Sequence, residues 1–149
     1  MEFVENRCVH EDRNIISKFS DRGYFVKENG PVYFTMDMDR TAKWFEEVMG
    51  WYSEIDERNE EGKGCYGCFY SVPTEIAVTH LAPFTGMHLF YGEPGQGMVC
   101  FMQVQGIEKM RAYILSKGWE KISEIEMQPW GGKTCSITTI DGCIISVFE

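Results

Sequence analysis

The stretch PVYFTMDMDRTAKWFEEVMGW, residues 31–51, sets a run dense in β-formers before an amphipathic segment that ends in Gly-Trp. Ala42, Phe45, Val48 and Met49 recur at spacings of three and four, which is one face of a helix. Asp39 is a candidate N-cap and Gly50 a candidate residue just past the helix end. A second stretch, MVCFMQVQGIEKMRAYILSKGW (residues 98–119), repeats the order. It gives a strand, then a helix with Ile107, Met110, Ile114 and Leu115 on one side, then Gly118-Trp119.

The segments after each Gly-Trp also match. After Gly50 come strand-like WYSEIDER, a polar turn NEEGKG, and the strands CYGCFYSV and MHLFYGEP. After Gly118-Trp119 come EKISEIEM, PWGGK, TCSITTI and DGCIISVFE. Val32 and Phe34 align with Val99 and Phe101, and MHLF (87–90) with ISVF (145–148). This is a degenerate βαβββ repeat. One copy would leave a sheet face uncovered, so two must combine. The reading is α+β: two βαβββ modules, residues 31–94 and 97–149, in a single domain behind an N-terminal extension of residues 1–30. In that extension EDRNIISKFSDRG reads as a short helix stopped by Gly23.

Bulk properties agree with one globular domain. At 149 residues the chain can bury roughly 70% of its unfolded surface. Net charge is −9 with no basic stripe, which disfavours nucleic acid as a partner. No apolar run approaches the roughly 20 residues that span a bilayer, and the N-terminus does not read as a signal peptide, so no membrane partner and a cytoplasmic location are expected. The six cysteines, Cys8, Cys65, Cys68, Cys100, Cys135 and Cys143, are then expected to be reduced.

The stretch MDMDRTAKWFEEVMGW and the ending PWGGK…DGCIISVFE resemble the vicinal oxygen chelate superfamily, which holds glyoxalase I, extradiol dioxygenases and bleomycin-resistance proteins. The N-terminal stretch is similar to the family's strand-end acid, Ser/Thr, aromatic pair and Leu-Gly-type helix ending. The C-terminal one is similar to its Pro-Trp-Gly and Asp-Gly finish. The resemblance covers residues 31–149. It implies that the modules' curved sheets surround a cup-shaped cavity, with metal-ligand slots on the first and last strand of each module. Those slots fall near Gly30 or Val32, on His88, on Val99, and on Ser146, where a metal-dependent member carries Glu. One ligating residue in four does not make the three-ligand set of a catalytic divalent ion. The expectation is therefore no metal and no other cofactor.

Strand alternation puts Phe34, Met36, His88, Phe90, Phe101, Gln103, Ile144, Ser146 and Phe148 toward the cup, with Trp130 at its rim. Such a lining suits a hydrophobic or aromatic small molecule oriented by His88, Gln103 and Ser146. It is also the composition of rings that simply fill a core, a reading the family's usual cavity outweighs. His88 could act as a general base or be an inert strand histidine. Cys65 and Cys68 form a C-x-x-C in a strand, so their sulfurs point to opposite faces, and no second pair completes a zinc site. His80, in the segment between strands, and His10 carry no assigned role. The acids of the first helix read as a solvated face.

The resemblance implies three alternative functions. One is a metal-free, glyoxalase-related binding protein that sequesters or senses a small molecule as a homodimer, some members of the family exchanging modules. Another is a glyoxalase-like lyase or isomerase, with His88 as base or a metal held by residues such as Glu75, His80 or Glu126. The third is a mainly structural domain whose extension docks on a neighbour.

Overall fold

The computed structural model describes residues 23–24, 30–71 and 86–149. The readings for His10, Glu75, His80 and the helix of the extension lie outside these residues.

Module one begins with β1 (Val32–Thr35) and continues into α1 (Met38–Trp44). A π-helical stretch (Phe45–Met49) prolongs α1. Then come β2 (Tyr52–Arg58), β3 (Gly64–Tyr70) and β4 (Gly86–Tyr91). Module two repeats the order with β5 (Met98–Gln103), α2 (Ile107–Ser116), β6 (Glu126–Met127), β7 (Lys133–Thr138) and β8 (Ile144–Phe148). Each module is a four-stranded sheet, ordered β1-β4-β3-β2 and β5-β8-β7-β6. In each, the first and last strands pair in parallel and the other neighbours antiparallel. The duplicated α+β fold read from the sequence is the fold observed. The one short element is β6, where polar EKISEIEM gives two strand residues and an isolated bridge from Ile122 to Ile137.

The expected helix face is buried: Ala42, Phe45, Val48 and Met49 all lie in the core. The cap differs. Asp37, not Asp39, accepts from the Arg40 amide at 3.1 Å, while Asp39 pairs with Arg58 at 2.8 Å. Gly50 takes φ 72° behind the π-helical stretch, the left-handed turn a glycine makes without a Cβ clash. In α2, Ile107 and Ile114 are buried and Met110 packs on the core, but Leu115 faces solvent. This helix has no side-chain cap of its own. The C-terminal Glu149 supplies it: its carboxylate accepts from the amides of Gly106 (2.7 Å) and Ile107 (2.6 Å).

A single core joins the modules, and it lies on the helix side of both sheets. Phe45 stacks on Phe69 with ring centres 4.0 Å apart and meets the edge of Tyr33 at 5.5 Å. Trp44 reaches across to Trp119 at 5.1 Å. Leu89, Met87, Ile137, Ile145 and Val147 close the layer from the two sheets.

One polar knot runs through this seam. Asp141, in the β7–β8 turn, is 2% exposed in its side chain. It accepts from Tyr33 (2.6 Å), Thr35 (2.8 Å) and Thr41 (2.7 Å), all from module one. Arg40 stands at 3.4 Å from the same carboxylate. Thr139 closes the set at 2.7 Å from the Tyr33 hydroxyl. Burial, reinforced by the bond to Asp141, pushes the Tyr33 phenol far above its usual range. A buried carboxylate is tolerated only when its oxygens are satisfied in this way.

Candidate functional site

Helices cover one face of each sheet, and the other face carries the residues singled out from the sequence. On β1, Tyr33 and Thr35 turn into the core while Val32 and Phe34 turn outward. On β4, Met87 and Leu89 are buried while His88 and Phe90 lie on the other side. On β8, Ile145 and Val147 are buried while Ile144, Ser146 and Phe148 lie outward. The alternation expected from the repeat holds residue by residue on these strands.

The structure gathers the expected site residues into two groups, one per sheet. On module one, Phe34 and Phe90 have ring centres 6.0 Å apart, and Phe90 meets Tyr66 at 5.0 Å. His88 sits beside them, its ring stacked on Tyr66 at 6.2 Å. On module two, Phe101 stacks on Phe148 at 4.4 Å. A cavity of about 520 Å³ there is lined by Phe101, Trp130, Ser146, Phe148, Gln128 and Thr134, together with Ser136. Ser146 thus lies on a floor of neutral hydroxyl and amide groups. Its partners in register are Phe101 and Ser136.

Two expected residues stand apart from these floors. Met36 lies past the end of β1, in a smaller recess of about 290 Å³ with Asp37, Lys63 and Tyr91. Gln103 ends β5 and, with Phe101, lines a groove of about 520 Å³ between the modules, walled by Met49, Trp51 and Met110.

The slot assigned to Val99 is not where this residue points. A bulge between Met98 and Cys100 shifts the register, and Val99 packs against the core rather than facing the cup. Met98, 61% exposed, takes the outward position opposite Ile144. One extra residue in a strand flips every side chain before it.

On the first strands Val32 lies opposite His88 and Phe101 opposite Ser146, so of the residues paired at the slots His88 alone is a metal-ligating type. Among the described residues no three His, Cys, Asp or Glu side chains lie together as a metal set.

The middle strands add residues that reading only first and last strands missed. Tyr66 and Cys68 of β3 are opposite Phe90 and His88 in register, and Tyr70 is opposite Gly86. Across β2, Tyr52 and Glu54 are opposite Tyr70 and Cys68. The Tyr66 hydroxyl is 3.2 Å from His88 Nδ1 and 3.5 Å from Cys68 Sγ; the sulfur is 3.7 Å from the same nitrogen. Burial raises the Tyr70 phenol, helped by its bond to the Cys68 sulfur and by the carboxylates of Glu54 and Asp56. The alternation in CYGCFY, Tyr66-Cys68-Tyr70, was the available signal. Cys65 points away from this group, its thiol toward the Lys63 carbonyl, so the C-x-x-C is not a thiol pair.

Known proteins share this architecture. Residues 30–92 match the family described as bleomycin resistance protein domain. A crystal structure of a glyoxalase-related enzyme from Clostridium phytofermentans is 55% identical, with a TM-score of 0.81, covering 86% of this chain and 98% of that one. A bleomycin-binding protein complexed with bleomycin shares the fold at 14% identity and a TM-score of 0.60, over 83% of this chain and 98% of that one. A superfamily member from Sphaerobacter thermophilus does so at 15% identity and 0.57, over 81% and 98%. No curated protein matches the chain. Duplicated βαβββ sheets, the matched domain and a 55% identical glyoxalase-related relative together place the chain in the vicinal oxygen chelate superfamily.

Proposed function

We propose that this protein binds a hydrophobic or aromatic small molecule without a metal ion. The cup is built by two copies, the module-one face of one opposing the module-two face of the other. The observation that carries this reading is the exposure of aromatic rows on the helix-free face of both sheets. Phe34 is 41% exposed and Phe101 65%, with Phe90, Met98 and Trp130 beside them. Contiguous apolar surface of this kind marks a binding face. A second copy covers it and leaves a hollow between walls of different chemistry: phenols, a thiol and an imidazole on one side, hydroxyls and an amide on the other. The bleomycin-binding protein of like fold supports a ligand cup on this scaffold. Val32, Phe101 and Ser146 at the slots support a metal-free floor, since none is a strong ligand.

Sedimentation velocity and a thermal-shift panel of apolar aromatic compounds test the reading. The expected result is a dimer that an aromatic ligand stabilises by about 2.7 kcal/mol at a hundredfold excess over Kd. A monomer that no such compound stabilises would overturn it.

A second reading is a glyoxalase-like lyase or isomerase with His88 as base. The contact of Tyr66 with His88 Nδ1, which orients the ring on the open face, favours it. Soaking with nickel, zinc or manganese decides for the metal form of this reading if the ion is retained stoichiometrically.

A further inference from the structure

Cys68 sits low in the floor of module one, 5% exposed, between two phenols and an imidazole. Its sulfur is 3.7 Å from His88 Nδ1 and 3.5 Å from the Tyr66 hydroxyl, and it also bonds to Tyr70. A thiol in an apolar site is ordinarily inert. Here, three groups able to donate a hydrogen bond converge on one sulfur, and one of them can take its proton. That is the environment of a nucleophilic thiol beside an accepting base. The other described cysteines lack it. Burial pushes the thiols of Cys100, Cys135 and Cys143 up, and Cys65 contacts a backbone carbonyl.

We propose that Cys68 is a nucleophile primed by His88, and that the module-one face captures α,β-unsaturated carbonyl compounds covalently. The proposal rests on the reading that this face lines the ligand cup. The Sγ proton passes to His88 Nδ1. The sulfur electron pair forms a C–S bond to the β-carbon, and the alkene pair moves toward the carbonyl as an enolate. The proton on Nδ1 returns to the α-carbon. The sum is addition of S–H across the double bond, with no change in oxidation state to be balanced by another reagent. Tyr66 and Tyr70 donate to the sulfur while it is negative. Phe34 and Phe90 provide the apolar bed for the body of the electrophile.

The test is timed alkylation of the full-length chain with N-ethylmaleimide, mapped by peptide mass spectrometry. Cys68 is expected to react at least tenfold faster than Cys65, Cys100, Cys135 or Cys143. His88→Gln should slow Cys68 tenfold or more at pH 7 while leaving Cys65 unchanged. If that variant does not fold, the ranking of the thiol rates in the unaltered protein still decides. A Cys68 rate no greater than that of Cys65, or one that a folded His88→Gln variant leaves unchanged, overturns the proposal. Cyclohexenone and cyclohexanone separate it from the reading beneath it. Thermal stabilisation by the saturated ketone without an adduct from the enone removes covalent capture and leaves the cup. Neither stabilisation nor adduct removes both.

Discussion

Replacing Asp141 by alanine removes the acceptor on which three hydroxyls of the other module converge. Those hydroxyls, from Tyr33, Thr35 and Thr41, lie 2.6–2.8 Å from the carboxylate. Hydrogen bonds to a charged partner contribute about 1.5–3 kcal/mol each, so the set bounds the loss at roughly 5–9 kcal/mol. Re-pairing lowers that bound. Thr41 can turn its proton to Thr35 Oγ1 at 2.9 Å, and Thr35 can turn to the Asp37 carbonyl at 3.3 Å. Tyr33 keeps Thr139. The variant also escapes the cost of burying a charge. The expected net loss is about 3–4 kcal/mol, a large part of the roughly 5–15 kcal/mol that holds a typical domain together. Urea unfolding followed by tryptophan fluorescence at fixed protein concentration measures it. The network makes a second demand. Tyr33→Phe should cost about 1–2 kcal/mol in the unaltered protein and about 1 kcal/mol less, or lower still, once Asp141 is alanine. An Asp141→Ala variant within about 1 kcal/mol of the parent, or strict additivity of the two changes, would refute the idea that this carboxylate ties the modules together.

Three further outcomes are expected. Glu149→Ala leaves the first amides of α2 without an acceptor and should lower stability by about 1 kcal/mol in the same unfolding assay. Phe101→Glu places a charge on the open face of module two. If two copies build the cup as proposed, it should abolish that dimer in sedimentation while changing protomer stability by less than about 0.5 kcal/mol, because the ring is solvated in the single chain. Arg58 holds the Asp39 carboxyl below its usual range through a bidentate hydrogen bond. A depressed folded pKa adds stability above the unfolded value of about 3.9 and loses it as pH falls through the folded value. Arg58→Gln should therefore show a small, salt-sensitive deficit in thermal melts at pH 7 that fades below about pH 4; an equal deficit at both pH values argues against the ion pair.

The sequence carried the repeat because the repeat is local physics. Strand alternation, the spacing of Ala42, Phe45, Val48 and Met49, and glycines such as Gly50 at left-handed turns depend on neighbours a few residues away. The same logic put Phe34, His88, Phe90, Phe101 and Ser146 on helix-free faces without any coordinates. It failed where one inserted residue broke the count, at Val99, and where two acids competed for one cap, at Asp37 and Asp39. Cys68 was legible as a cysteine and as a strand residue. Its meeting with His88, Tyr66 and Tyr70 was not, because register between strands fixes which side chains touch.

Asp141 is the clearest case of what only the folded chain decided. In sequence it belongs to an Asp-Gly turn and signals nothing more. In the structure it lies about a hundred residues along the chain from the hydroxyls it serves. Composition and periodicity set what each module is, since they act over one strand or one helical turn. How the modules meet, which faces stay open, and which side chains share a site are set by packing between segments far apart in the chain. No window of residues contains that information.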